Sequence, residues 1–149
     1  MTQNPSSFPS HSSSDGAAGG APSVRWSLVL GLGALALARP LARITGVDEV
    51  LGTPATAIGL TLLITALWVT LVGIGRVPRP VLTLTLAGVA YAVYSTLLSG
   101  ILSPLLTGTL QGPLAQPIGI VAILATNAIW GAVAGVLALG VQRLRGGQS

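Results

Sequence analysis

The side chains of this sequence that can do chemistry fall into two groups. One is polar and sits inside long apolar runs: Tyr91, Tyr94 and Ser95 in one run, Asn127 in another. Hydroxyl and amide groups in such places either bond one helix to its neighbour or line a path for a small molecule or ion. The other group is charged and sits at the edges of the runs. Arg39 and Arg43, four residues apart and so on one helix face, precede the acidic pair Asp48 and Glu49. An arginine fork with nearby acids can hold a headgroup or anchor a helix end.

Acid–base catalysis and metal binding draw on His, Asp, Glu and Cys. The chain has no cysteine, one histidine and three acids. His11 and Asp15 lie in a leader of Ser, Gly, Pro and Ala, and no titratable acid or histidine falls within an apolar run. An enzyme, a metal site and a cofactor are therefore not expected. Proton-coupled transport normally uses a carboxylate or histidine inside the membrane, so it is disfavoured too.

These residues must be positioned by elements suited to lipid. Only 7% of the residues are charged and the mean hydropathy is +0.81, against roughly 25% charged in a soluble domain. Such a composition cannot cover a water-facing surface. All seven basic residues are arginines set between apolar runs, so the high pI reports membrane edges and not a basic face for nucleic acid. The sequence predicts an all-α membrane protein of four transmembrane helices, arranged as two antiparallel hairpins with short loops and a disordered N-terminal tail. The predicted spans are about 24–45, 54–75, 80–102 and 117–142, within a domain of residues 24–145; 1–23 and 146–149 are tails. The arginine-rich, alanine-rich composition suggests a bacterial source.

The first span is the least regular. It opens at Arg25 and Trp26, an interface anchor, and is uninterrupted only to Ala38; Pro40 should end or kink it. An alternative is a cleaved signal peptide, which would leave three spans. Thr53 then Pro54 read as an N-cap and N1 proline opening the second span, and Arg76 and Arg79 in a proline-rich turn end it. Ser103 and Pro104 should end the third, and the uncharged stretch 103–117 should lie at the interface or dip back. The fourth ends at Arg143 and Arg145. Arg25, Arg76, Arg79, Arg143 and Arg145 fall on one side and only Arg39 and Arg43 on the other; basic residues collect in cytoplasmic loops, so both termini are expected inside a plasma membrane.

Small residues let helices approach in lipid, where no hydrophobic drive separates tail from side chain. Asn127, Gly131 and Gly135 recur at four-residue spacing, and Thr83, Ala87, Tyr91, Ser95 and Ser99 do the same in the third span. Asn127 lies ten residues past Pro117 and Tyr91 eleven past Pro80, hence ~15 Å deep from opposite sides. A hydrogen bond between helices is the favoured reading and a solute pathway the alternative. ITALW (64–68) and TNAIW (126–130) form a faint internal echo. In size the chain resembles the small multidrug exporters, but it lacks the glutamate of their first span, and the motifs of the fluoride channels are absent.

Three functions remain, in this order: a structural or accessory membrane subunit packing its glycine face on a partner or on itself, an oligomeric channel or transporter for a neutral solute, and a membrane enzyme acting on lipid headgroups. The expected partners are the bilayer and a homo-oligomer or another membrane protein.

Overall fold

The computed structural model describes residues 24–46, 52–110 and 113–146. The N-terminal tail, the acidic pair Asp48 and Glu49, residues 147–149 and the side chain of Arg43 lie outside the described residues, and with them the readings placed there. The described residues are helical, with no strand: α1 (Trp26–Leu35), α2 (Ala38–Ile44), α3 (Thr53–Ile74), α4 (Pro80–Thr107), a single 3-10 turn (Pro113–Ala115) and α5 (Pro117–Gly146). Three of these helices, α3, α4 and α5, are long and apolar enough to cross a membrane.

Proline placement sets most of the helix starts. Pro54 and Pro80 stand in the first turns of α3 and α4, and Pro117 opens α5; a missing N–H costs nothing there and φ is already helical. The residue before α3 is Gly52, at φ +86°, so Thr53 is the first helical residue and not the cap. Arg143 and Arg145 occupy the last turn of α5, where cations suit the negative end of the helix dipole.

The first segment does not make a fourth helix of spanning length. The apolar stretch runs from Trp26 to Ala42, ~26 Å if fully helical against a hydrocarbon core of about 30 Å, and it is broken. The break falls at Ala36–Leu37, one turn before Pro40. Proline has no N–H to offer the carbonyl four residues back, and its ring crowds that carbonyl. The ladder therefore tightens there: Leu37 N–H bonds Ala34 O at 3.0 Å and Arg39 N–H bonds Ala36 O at 3.2 Å.

Pro104, by contrast, does not end α4. The helix runs through it and stops at Gly108, whose φ of +71° lets its N–H close on Pro104 O at 3.0 Å. The stretch from 103 onward is thus partly helix, and its 3-10 turn folds back. Leu114 fills the space beside Gly100, and Pro113 packs on Gly119.

The antiparallel pair α4 and α5 is the centre of the bundle. It carries the largest helix–helix interface; α1 packs on α4, and α3 packs on α5. Small residues make this possible. A Cβ added to Gly88, Gly131 or Gly135 would run into the backbone of Asn127, Leu84 or Val81, respectively. Gly33 plays the same part between α1 and α4, and Gly73 between α3 and α5. The main neighbour of the first segment is α4; it also meets α3, through α2 and through the Trp68 indole.

Candidate functional site

Where the four segments converge, they leave a small chamber. Its wall is built from Ala36 and Arg39 on the first segment, Thr61, Ile64, Thr65 and Trp68 on α3, Tyr91 on α4, and Asn127 and Trp130 on α5. Each wall residue follows from helical spacing: Thr61, Thr65 and Trp68 are four and three apart, so one face of α3 presents all of them. The cavity is about 20 Å³, room for about one water on the measure by which a water needs roughly 10–15 Å³. It lies at mid-depth of α4 and α5, since Tyr91 and Asn127 sit ~15 Å from the proline-marked starts of their helices.

Hydrogen bonds fix much of the wall. The Trp68 indole donates to Leu32 O at 3.1 Å, a carbonyl whose own bond from Ala36 N–H is stretched to 3.4 Å beside the break. The Trp130 indole donates to Thr65 Oγ1 at 3.0 Å. Thr65 in turn donates to Thr61 O at 2.7 Å, and Thr61 to Ala57 O at 2.6 Å. The amide of Asn127 does not reach across to Tyr91 or Ser95 as the sequence suggested. Its Nδ2 donates to Ile123 O of its own helix at 2.8 Å, the nearest carbonyl one turn back.

No family model, curated protein or solved structure matches this chain.

Most of its donors are engaged within the wall. Both indoles, both threonine hydroxyls and one N–H of the asparagine amide point at protein oxygens. Arg39 brings up to five further donors and a positive charge. Arg39 and Ser95 are the polar groups that bear on the Tyr91 hydroxyl. Among the described residues there is no aspartate or glutamate and no cluster of metal-ligating side chains.

The structure brings Tyr91, Asn127 and Arg39 together. Arg39 is half-buried on the chamber wall, and not solely at a helix edge. Tyr94 and Ser95 are half-buried but off the wall; Ser95 Oγ leans on Ala92 O at 3.4 Å. Gly131 and Gly135 are buried against α4 within the chain, so their face is not open to a partner. Arg25, Trp26, Arg76, Arg79, Arg143 and Arg145 are all exposed. They share one end of the bundle, because α1 runs antiparallel to α3 and the α3–α4 turn meets the end of α5.

Gln142, which sequence reading passed over, makes that meeting. Its Nε2 donates to Val72 O at 2.9 Å and to Val77 O at 3.1 Å. The turn it holds contains Arg76 and Arg79 at φ +46° and +53°, left-handed conformations that non-glycine residues adopt at a cost of roughly 1–2 kcal/mol. Thr61, Thr65, Trp68 and Trp130 were missed as well, although the internal echo carried a signal. Aligning ITALW with TNAIW pairs Thr65 with Asn127 and Trp68 with Trp130, and all four line the chamber.

Proposed function

We propose that this is a four-pass membrane protein, with both termini on the cytoplasmic side of a bacterial plasma membrane, that takes a small polar solute into the chamber between its helices. The observation that carries this reading is the chamber: polar groups from every segment face one cavity beside a helix break. Irregular backbone at membrane depth is tolerated where it is buried in protein or lines a water-filled cavity, and broken helices are a recurrent way of building solute sites at the midplane. In this reading the broken first segment completes a crossing with residues past Ala42, and the exposed arginines at one end mark the cytoplasmic face. The cavity has the size of a pocket for one small group, not of a continuous aqueous pore.

The accessory-subunit reading rested on a glycine face offered to a partner. That face packs against α4 inside the chain, which removes its main support. The reading as a lipid-modifying enzyme rests on Asp48 and Glu49, which lie outside the described residues.

Stopped-flow light scattering of proteoliposomes under gradients of urea, glycerol and sodium formate tests the proposal. We expect at least one of these solutes to equilibrate faster than in protein-free vesicles, and the rate to fall in Asn127→Leu, which fills the chamber. Rates equal to those of empty vesicles for all three would remove the reading.

A further inference from the structure

We infer that the chamber is a binding site for one small monovalent anion, of the size of chloride or formate, with Arg39 as its principal ligand. This rests on the reading of the chamber as a solute site and gives that solute its charge.

The argument is one of unspent chemistry. Trp68, Trp130, Thr61 and Thr65 direct their hydrogens into protein oxygens, and Asn127 commits one of its two amide hydrogens to Ile123 O. They shape and polarise the wall without offering those donors to a guest. Arg39 is the one ionisable cation on that wall. A half-buried guanidinium on the wall of a small polar cavity favours an anionic guest, which it can hold through charge-assisted hydrogen bonds. The cavity, about 20 Å³, has the size for one small ion.

The location fits as well. Pro40 forces the break at Ala36–Leu37, and the break sets Arg39 one residue into a new helical run, half-buried on the chamber wall. The same side chain on an unbroken helix would take a different azimuth. The break and the cation are therefore parts of one device.

Intrinsic fluorescence reads the site directly, because two of the three tryptophans, Trp68 and Trp130, stand in its wall. Trp26, 62% exposed at the bundle end, is replaced by Phe to leave only the chamber signal. Purified Trp26→Phe protein in mild detergent is titrated with sodium chloride or sodium formate, the ionic strength being held constant with sodium gluconate. Urea and glycerol are titrated in parallel.

A saturable change with chloride or formate is expected. In Arg39→Gln the half-saturating concentration should rise at least about tenfold, as when a charge-assisted hydrogen bond is lost. Arg39→Lys, which keeps the charge, should fall between the two. Gel filtration and thermal unfolding of each variant confirm that it is folded. A saturable response to urea or glycerol but not to the anions would overturn the anion assignment and leave the solute site standing. No saturable response to any of them would overturn both. An anion response unchanged in a folded Arg39→Gln protein would overturn the role of Arg39.

Discussion

Replacing Gly131 by alanine adds one methyl group at one of the closest approaches in the bundle. The new Cβ would lie 2.9 Å from the carbonyl carbon of Leu84 and 3.0 Å from the Cα of Thr85, and closer still to Leu84 O. Ordinary contact begins at 3.4 Å, so α4 and α5 must part by roughly half an ångström or more, and both sides of the clash are backbone. A gap of that size forfeits about a quarter or more of each dispersion contact along the seam. That seam includes Leu84, Ala87, Ala134 and Ala138, all fully buried. Overpacking of this kind costs about 1–3 kcal/mol, and here the upper part of that range applies. Alanine returns up to about 1 kcal/mol through its better helix propensity. The net expectation is a loss of about 1–2 kcal/mol.

Gly140, on the same helix, provides the control. A Cβ there meets nothing within 4 Å, so Gly140→Ala should be neutral or stabilising by up to about 1 kcal/mol. The two variants should then differ by about 2–3 kcal/mol. Equilibrium unfolding in mixed micelles of mild detergent and dodecyl sulfate, followed by tryptophan fluorescence, measures the difference. Equal stabilities would refute the packing argument. A Gly131→Ala protein of unchanged stability but altered oligomeric mass would show instead that this face meets a partner.

Two further substitutions probe the polar contacts. Gln142→Leu removes two hydrogen bonds, to Val72 O in the last turn of α3 and to Val77 O in the α3–α4 turn; a loss of about 1–3 kcal/mol and faster tryptic cleavage after Arg76 are expected, and Gln142→Glu should fare no better, because a carboxylate cannot donate. Unchanged cleavage in both would mean that the turn holds itself. Thr83 is fully buried and its Oγ1 has no hydrogen-bond partner, so Thr83→Val should stabilise the protein by about 1–2 kcal/mol through removal of an unsatisfied polar group. Destabilisation in the same unfolding assay would show that the hydroxyl is satisfied after all.

The sequence by itself determined the class of structure and the extent of its longest elements. Uncharged runs of about twenty residues can be helices across a bilayer and little else, because no water is present there to satisfy loose backbone groups. Prolines at 54, 80 and 117 and the arginines beyond the helix ends marked the boundaries, since their effects are local. The reading erred where two local signals competed. Pro104 predicts a stop, yet α4 continues to Thr107; Pro40 predicts a break in place, yet it falls a turn earlier, where Ala36 O takes its hydrogen bond from Arg39 N–H because proline has none to give.

Only the tertiary structure decided what faces what. In lipid, apolar side chains carry no instruction about which of them point inward, since tails and neighbouring helices are equally apolar. Backbone approach decides instead, through Gly88, Gly131 and Gly135, and the α4–α5 pair they create assigns every other face. That pairing turned Arg39 from an edge residue into part of the wall. It sent the Asn127 amide back to its own helix, and it brought Gln142 onto a turn 65–70 residues distant in sequence. The chamber is assembled from segments as far apart as Ala36 and Trp130. No window along the chain contains it, because it exists only where four helices fail to close.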